Sequence, residues 1–294
     1  MLQQYKTTLF IFLIFTFASA QIDPDKVIIR KTLSEAWELD SIDKQGTFRL
    51  MSYRPIYFSA ARWSSRRNTE PFNESGEFQS KDKNIFNNIE TKFQISFKTK
   101  VIQGLLFGTG DLWVGYTQKA HWQVYNKTLS RAFREVNYEP EVMLNFPTKI
   151  PLFKGHIRTV GLTLNHQSNG KDIPTSRSWN RIILNIGYEY KNWNINFRPW
   201  YRMPDDEDEN PGITRSVGDA ELEVATHFGK HEFYTIINHS FSTLEKGNIQ
   251  LNYVFPIHGH LRGHAQVFQG YGETLIDYNI QQTTIGIGVS FANW

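Results

Sequence analysis

Three polar residues stand where an alternating sequence calls for apolar ones. In "VGLTLNHQSNGKDIPTSRSWNRIILNIGYEY" (160–190), His166 and Ser168 continue the parity of Val160, Leu162 and Leu164. Asn180 shares the parity of Ile182, Leu184, Ile186 and Tyr188. Residues at i and i+2 of a strand lie on one face, so His166 and Ser168 are neighbours. Asn180 falls on the same face just past the loop 169–177, and strands about 4.8 Å apart bring it within reach. A serine hydroxyl becomes a nucleophile when a base takes its proton; histidine is such a base, and a third group fixes its tautomer. Asparagine can accept the ring N–H but carries no charge, so its part is orientation. The set fits nucleophilic acyl transfer. Residue types alone leave a second reading open, in which these are ordinary interfacial or loop-end polar groups.

The elements that must hold these residues are strands. Period-2 alternation predicts twelve of them, over 50–59, 90–101, 111–125, 134–146, 156–168, 178–190, 193–203, 216–228, 231–242, 247–256, 260–271 and 282–292. Connections after the even-numbered strands are mostly short, whereas 60–89, 126–133, 169–177 and 204–215 are long and polar. His166, Ser168 and Asn180 all flank one of the long loops.

The beginning of the chain and its composition name the solvent. Lys6, the apolar "LFIFLIFTF" (9–17) and Ala18-Ser19-Ala20 read as a secretory signal cleaved after Ala20. The remaining residues carry 31 basic and 29 acidic side chains, which gives no nucleic-acid footprint, and without cysteine there are neither disulfides nor thiolate metal sites. Aromatics reach 15% although mean hydropathy is −0.45, and no later apolar run is long enough for a membrane helix. Strands that are greasy at every second position reconcile those facts. The prediction is an all-β fold: a single transmembrane antiparallel β-barrel of 12 strands, both termini periplasmic, with long loops outside. Its boundaries are 1–20 for the signal peptide, 21–49 for an N-terminal periplasmic segment and 50–294 for the barrel. A hydrolase with its nucleophile on the lipid face has the phospholipid ester at hand.

"NHQSNGKDIPTSRSWNR" (165–181) resembles the active-site signature of the outer membrane phospholipases A. "YTQKAHWQ" (116–123), "FREVNYEPE" (133–141), "RPWY" (198–201) and "GYGETLIDYN" (270–279) resemble further motifs of that family, in order and at compatible spacing. The likeness runs from about residue 90 to the end. It implies a calcium-dependent, dimeric, Gram-negative outer-membrane barrel that cleaves phospholipids and lysophospholipids at the outer-leaflet side. It implies Ser168 as nucleophile, His166 as general base and then acid, Asn180 as the orienting residue and the Gly170 N–H as oxyanion donor. Ca2+ would be held by the Ser176 hydroxyl, the Lys171 carbonyl and the carbonyl of Ser130 from the other subunit, with an acidic residue near Asp208 in the monomer, where an extra residue leaves Asp208 and Glu209 both open. The family usually has arginine where this chain has Lys171, which removes any guanidinium contact there. Gln118, alone among lipid-facing apolar residues of its strand, needs a partner: either a hydrogen bond within its own barrel or, as the resemblance implies, the other subunit at a two-fold interface.

Lys92, Lys98, Glu189 and Arg198 are expected to line a lumen in an enzyme and equally in the rival reading, a non-catalytic pore or structural barrel. Arg62, Arg66 and Arg67 read as an exposed basic loop that could meet lipopolysaccharide phosphates. His227, His231, His239, His258, His260 and His264 lack a compact ligand spacing and read as lumen, interface or turn residues.

Overall fold

The computed structural model describes residues 31–73, 76, 85–106, 108–240 and 246–291. The expected signal peptide lies outside the described residues. Thirteen strands follow in order: β1 (Met51–Ser52), β2 (Tyr57–Ser64), β3 (Ile89–Ile102), β4 (Asp111–Trp122), β5 (Phe133–Leu152), β6 (Gly155–Ser168) and β7 (Ser178–Tyr190), then β8 (Trp193–Arg202), β9 (Ala220–Phe228), β10 (His231–His239), β11 (Gly247–His258), β12 (Leu261–Gly270) and β13 (Gln282–Ser290). Each from β2 onward pairs antiparallel with the next, and β13 pairs back onto β2, so twelve strands close a ring. Closure leaves no backbone edge unpaired, which is what a strand crossing hydrocarbon requires.

Three boundaries differ from the sequence reading. The first barrel strand runs over 57–64 instead of 50–59, because Pro55, without an N–H to donate, separates it from the short β1 that also lies along β3. β5 continues past 146 to Leu152. A one-turn helix, α2 (Ile213–Val217), occupies the expected start of β9.

The pleat puts oil outside and charge inside. Along β6, Leu162 and Leu164 are 55% and 58% exposed, while Thr163 and Asn165 between them are buried. Inside, the charges come in pairs: Arg62 with Glu90, Lys92 with Glu273, Arg134 with Glu90 and Asp277, Arg181 with Glu139, Arg198 with Glu141. A buried ion costs several kcal/mol unless it is matched, so pairing is what lets this lumen fill. Arg62 is thus not part of an exposed loop. A register shift between Ser59 and Arg62 turns it inward, and only Arg66 and Arg67 stay exposed.

The end with the short turns is stopped by the N-terminal segment. Helix α1 (Leu33–Trp37) starts with a capping box between Thr32 and Glu35. Ser34 donates through N–H and hydroxyl to Glu189, Glu38 pairs with Lys100 at 2.6 Å, and Asp40 pairs with Arg158 at 2.6 Å and Lys149 at 3.0 Å. The hydrogen bond from Lys149 holds the Asp40 carboxyl below its ordinary value; partial burial opposes this and Arg158 reinforces it. Trp37 covers the Lys98 ammonium, 3.1 Å from its ring centroid, with Tyr53 and Trp113 around it. Lys98 has no carboxylate partner among the described residues, so this aromatic cover is its compensation. At the other mouth, Ile213 of α2, Leu275, Tyr278 and Trp179 form a small apolar cluster beside the loop 169–177.

Candidate active site

β6 and β7 form one tight hairpin whose register sets His166 opposite Asn180 and Ser168 opposite Ser178. His166 Nδ1 lies 2.8 Å from Asn180 Oδ1 on the outer face. An amide oxygen only accepts, so Nδ1 is the donor and Nε2 is left to accept a proton. Ser168 sits two residues along the same strand, half-buried. Among the described residues no hydrogen bond closes from its hydroxyl to the ring; such bonds commonly tighten only with substrate in place.

Behind this outer face the strands are locked from inside. Trp179 Nε1 donates to Gln167 Oε1 at 2.8 Å, directly opposite in register. One turn of the pleat below, Arg181 donates to Asn165 Oδ1 at 2.9 Å and both reach Glu139 at 3.0 Å. The Arg181 guanidinium also lies 4.1 Å from the Trp179 ring centroid. His166, Ser168 and Asn180 therefore project from a hairpin whose inward residues cannot slip.

The loop 169–177 then folds back on itself. Gly170, two residues past Ser168, has φ +61°, and a Cβ there would press 3.0 Å from the Tyr138 ring, so glycine is favoured on both counts. Asn169 sews the loop: its N–H donates to the Arg177 carbonyl at 3.0 Å, its Oδ1 accepts from the Arg177 and Lys171 amides, and its Nδ2 donates to the Thr175 carbonyl. Burial lowers the Arg177 guanidinium from the usual arginine value, against the opposing pull of Tyr278, Glu135 and Glu209.

Residues 33–291 match the family Phospholipase A1. The chain belongs to the phospholipase A1 family. It is 40% identical over 200 residues to the phospholipase A1 of Escherichia coli, covering 68% of each chain. The dimeric outer membrane phospholipase of Salmonella typhi, solved with bound calcium, is 34% identical with a TM-score of 0.76, over 85% of this chain and 94% of that one. An active-site asparagine-to-alanine mutant of Escherichia coli outer membrane phospholipase A superposes with a TM-score of 0.74 at 34% identity, covering 85% and 94%. This phospholipase A1 family member is thus an outer-membrane barrel enzyme acting on phospholipids.

Other expected residues of this phospholipase are spread around the hairpin. The Ser176 hydroxyl meets the Glu209 carboxylate, whose second oxygen is buried without a partner. Asp208 is turned away from Ser176: it pairs with Arg202 and caps the Asn210 amide, because the backbone tightens there ahead of α2. The acid beside Ser176 is Glu209, which a run of consecutive acids does not distinguish from its neighbour. Ser130 is exposed in the β4–β5 loop with φ +51°, and no described hydrogen bond links it to this site within the chain. Gln118 is half-buried on the outer face and accepts from the Tyr116 hydroxyl at 2.9 Å. Its acceptor is therefore satisfied within the barrel, on its own strand at i−2; among the described residues its two N–H donors have no hydrogen bond. The Lys171 side chain does not lose its contact for want of a guanidinium: its ammonium lies 2.9 Å from Glu135 and donates to the Arg134 carbonyl at 2.6 Å. Glu135 and Tyr138 are the neighbours that the sequence does not single out, whereas Glu209 is one of the two acids that it leaves open. Both belong to β5, Glu135 on an inward face it shares with Asn137, Glu139 and Glu141, and Tyr138 on an outward face of apolar residues.

Proposed function

We propose that this enzyme hydrolyses acyl esters of phospholipids and lysophospholipids with Ser168 as nucleophile, His166 as base and acid, and Asn180 as the orienting residue. The observation that carries the reading is the His166–Asn180 pair on the lipid-facing side of β6 and β7, next to Ser168 and at the long-loop end. The asparagine named as active-site in the Escherichia coli structure supports the role of Asn180. Ser168 Oγ attacks the ester carbonyl carbon as its proton passes to His166 Nε2, and Asn180 Oδ1 holds the ring through Nδ1–H. The Gly170 N–H, one residue past the amide of Asn169 that the loop consumes, faces the developing oxyanion. Collapse expels the glycerol-side oxygen, which takes the proton from His166. Water then attacks the acyl-Ser168 ester with His166 again as base, and the fatty acid leaves. The long-loop end is placed at the outer leaflet, where ester groups lie at the depth of the rim.

The residues around Ser176 suit calcium. A hydroxyl, main-chain carbonyls and a buried carboxylate oxygen without a partner make a hard-oxygen donor set. Ser176 Oγ and the Lys171 carbonyl would hold the ion, with Ser130 from a second copy of the chain; Glu209 takes the acidic role expected near Asp208. When bound, the ion supplies positive charge beside the oxyanion. The calcium-bound dimer from Salmonella typhi supports both the ion and the pairing of subunits, and Gln118 offers its free N–H groups to that interface. Ser168→Ala should abolish fatty-acid release from mixed micelles with calcium while keeping heat-modifiable migration on a gel. Unchanged hydrolysis by the folded variant would refute the assignment.

A further inference from the structure

We propose that Glu135, on the inward face of β5, is the positioning residue of the oxyanion and calcium loop, acting through Asn169 and Lys171. The inference rests on the reading of that loop given above. Glu135 is 1% exposed. Its Oε1 accepts from Asn169 Nδ2 at 3.2 Å, Asn137 Nδ2 at 2.9 Å and the Ile276 N–H at 3.2 Å. Its Oε2 lies 2.9 Å from the Lys171 ammonium, the one cation paired with it among the described residues. A carboxylate removed from water needs such a partner. Here the partner comes from the loop 169–177 itself, so seating the buried charge and seating the loop are one event.

The geometry then says what is seated. Asn169, between the nucleophile and Gly170, is itself 3% exposed, and through it Glu135 reaches both ends of the loop: the Lys171 amide, the Thr175 carbonyl and the Arg177 amide. The side chain of Lys171 is drawn inward, which fixes the residue whose carbonyl would hold the ion. Lysine is a compact point charge, and this one neutralises Glu135 as an ion pair while it donates to the Arg134 carbonyl. The bond from Ile276 ties the same carboxylate to the loop 271–281 that fills the mouth.

The test measures calcium binding and not turnover, using the full-length protein refolded in detergent micelles on a Ser168→Ala background. Radioactive calcium in equilibrium dialysis gives the half-saturation. Lys171→Met decides the matter by sign. If only charge matters, removing a cation beside a calcium site tightens binding; if the brace positions the ligands, binding loosens. Half-saturation should rise about five- to tenfold, the ratio matching one ordinary hydrogen bond or weak ion pair. Glu135→Gln should give a similar rise, the two changes together little more than either alone, and Lys171→Arg should restore binding to within about twofold. Unmoved or tighter binding in Lys171→Met with intact heat-modifiable migration overturns the inference even if Glu135→Gln fails to fold. Wild-type hydrolysis by Ser168→Ala would instead overturn the active-site reading and this inference with it. An inactive Ser168→Ala with unshifted calcium binding in Lys171→Met overturns the brace alone.

Discussion

Replacing Asn180 by alanine removes one acceptor, 2.8 Å from His166 Nδ1, and nothing else that reacts. With a neutral ring the lost bond is an ordinary one, of net value about 1 kcal/mol. In the proposed mechanism His166 takes the serine proton and its ring becomes cationic, and a charge-assisted bond is about twice as strong. Only the difference between those states, about 1 kcal/mol or slightly more, slows the chemical step. Freeing the ring to rotate or change tautomer adds a few tenths, so the loss in kcat should be about ten- to thirtyfold. Loss of the nucleophile in a triad enzyme costs on the order of 10⁶. Fatty-acid release from mixed micelles at saturating calcium separates the two, with heat-modifiable migration as the check on folding. If Asn180→Ala were as inactive as Ser168→Ala, orientation would be the wrong role for the amide. If it kept the full rate, the pair would be incidental.

Asn180→Asp places a carboxylate where the amide accepts. This favours the imidazolium, raises the proton affinity of the base, and should move the acidic limb of kcat/KM up by about one pH unit; an unmoved limb would contradict the pairing. Gln118→Ala should weaken dimerisation by roughly 0.6–2 kcal/mol without eliminating it, read as cross-linking yield against detergent dilution, and unchanged yield would take Gln118 out of the interface. Trp37→Ala strips the cover from the Lys98 ammonium and should cost about 3 kcal/mol in urea unfolding; an unchanged midpoint would show that the N-terminal segment adds nothing to stability. The Asp40 carboxyl is held below its ordinary value, so its hold on that segment is present above that value and lost as pH falls through the lowered one. Protection factors of the amides in 33–43 should fall below about pH 4, and Asp40→Asn should remove the part of that fall that Asp40 contributes.

The barrel was legible because its solvent writes a period of two into every strand. His166, Ser168 and Asn180 were legible for the converse reason, as polar residues on the parity of Leu162, Leu164, Ile182 and Leu184. Where the period breaks, the reading broke. Arg62 looked like loop because the shift after Ser59 exchanges inside for outside at that point. Helices α1 and α2 are five residues each, too short to show a helical period, and both are held by contacts made far along the chain. Tyr116, two residues from Gln118, was a partner that parity alone could have offered. Glu135 could not be picked out, since Asn137, Glu139 and Glu141 share its inward face and only the folded loop shows which of them meets Lys171.

The central claim is that an acyl group passes through Ser168. A single turnover of phospholipid with the wild-type enzyme and calcium, quenched in acid and digested, puts that claim to mass spectrometry. The expected result is a fatty acyl ester on the peptide bearing Ser168, accumulating before free fatty acid and absent in His166→Ala. Product formed at the full rate with no acyl group on Ser168, or with the group on another residue, would contradict it.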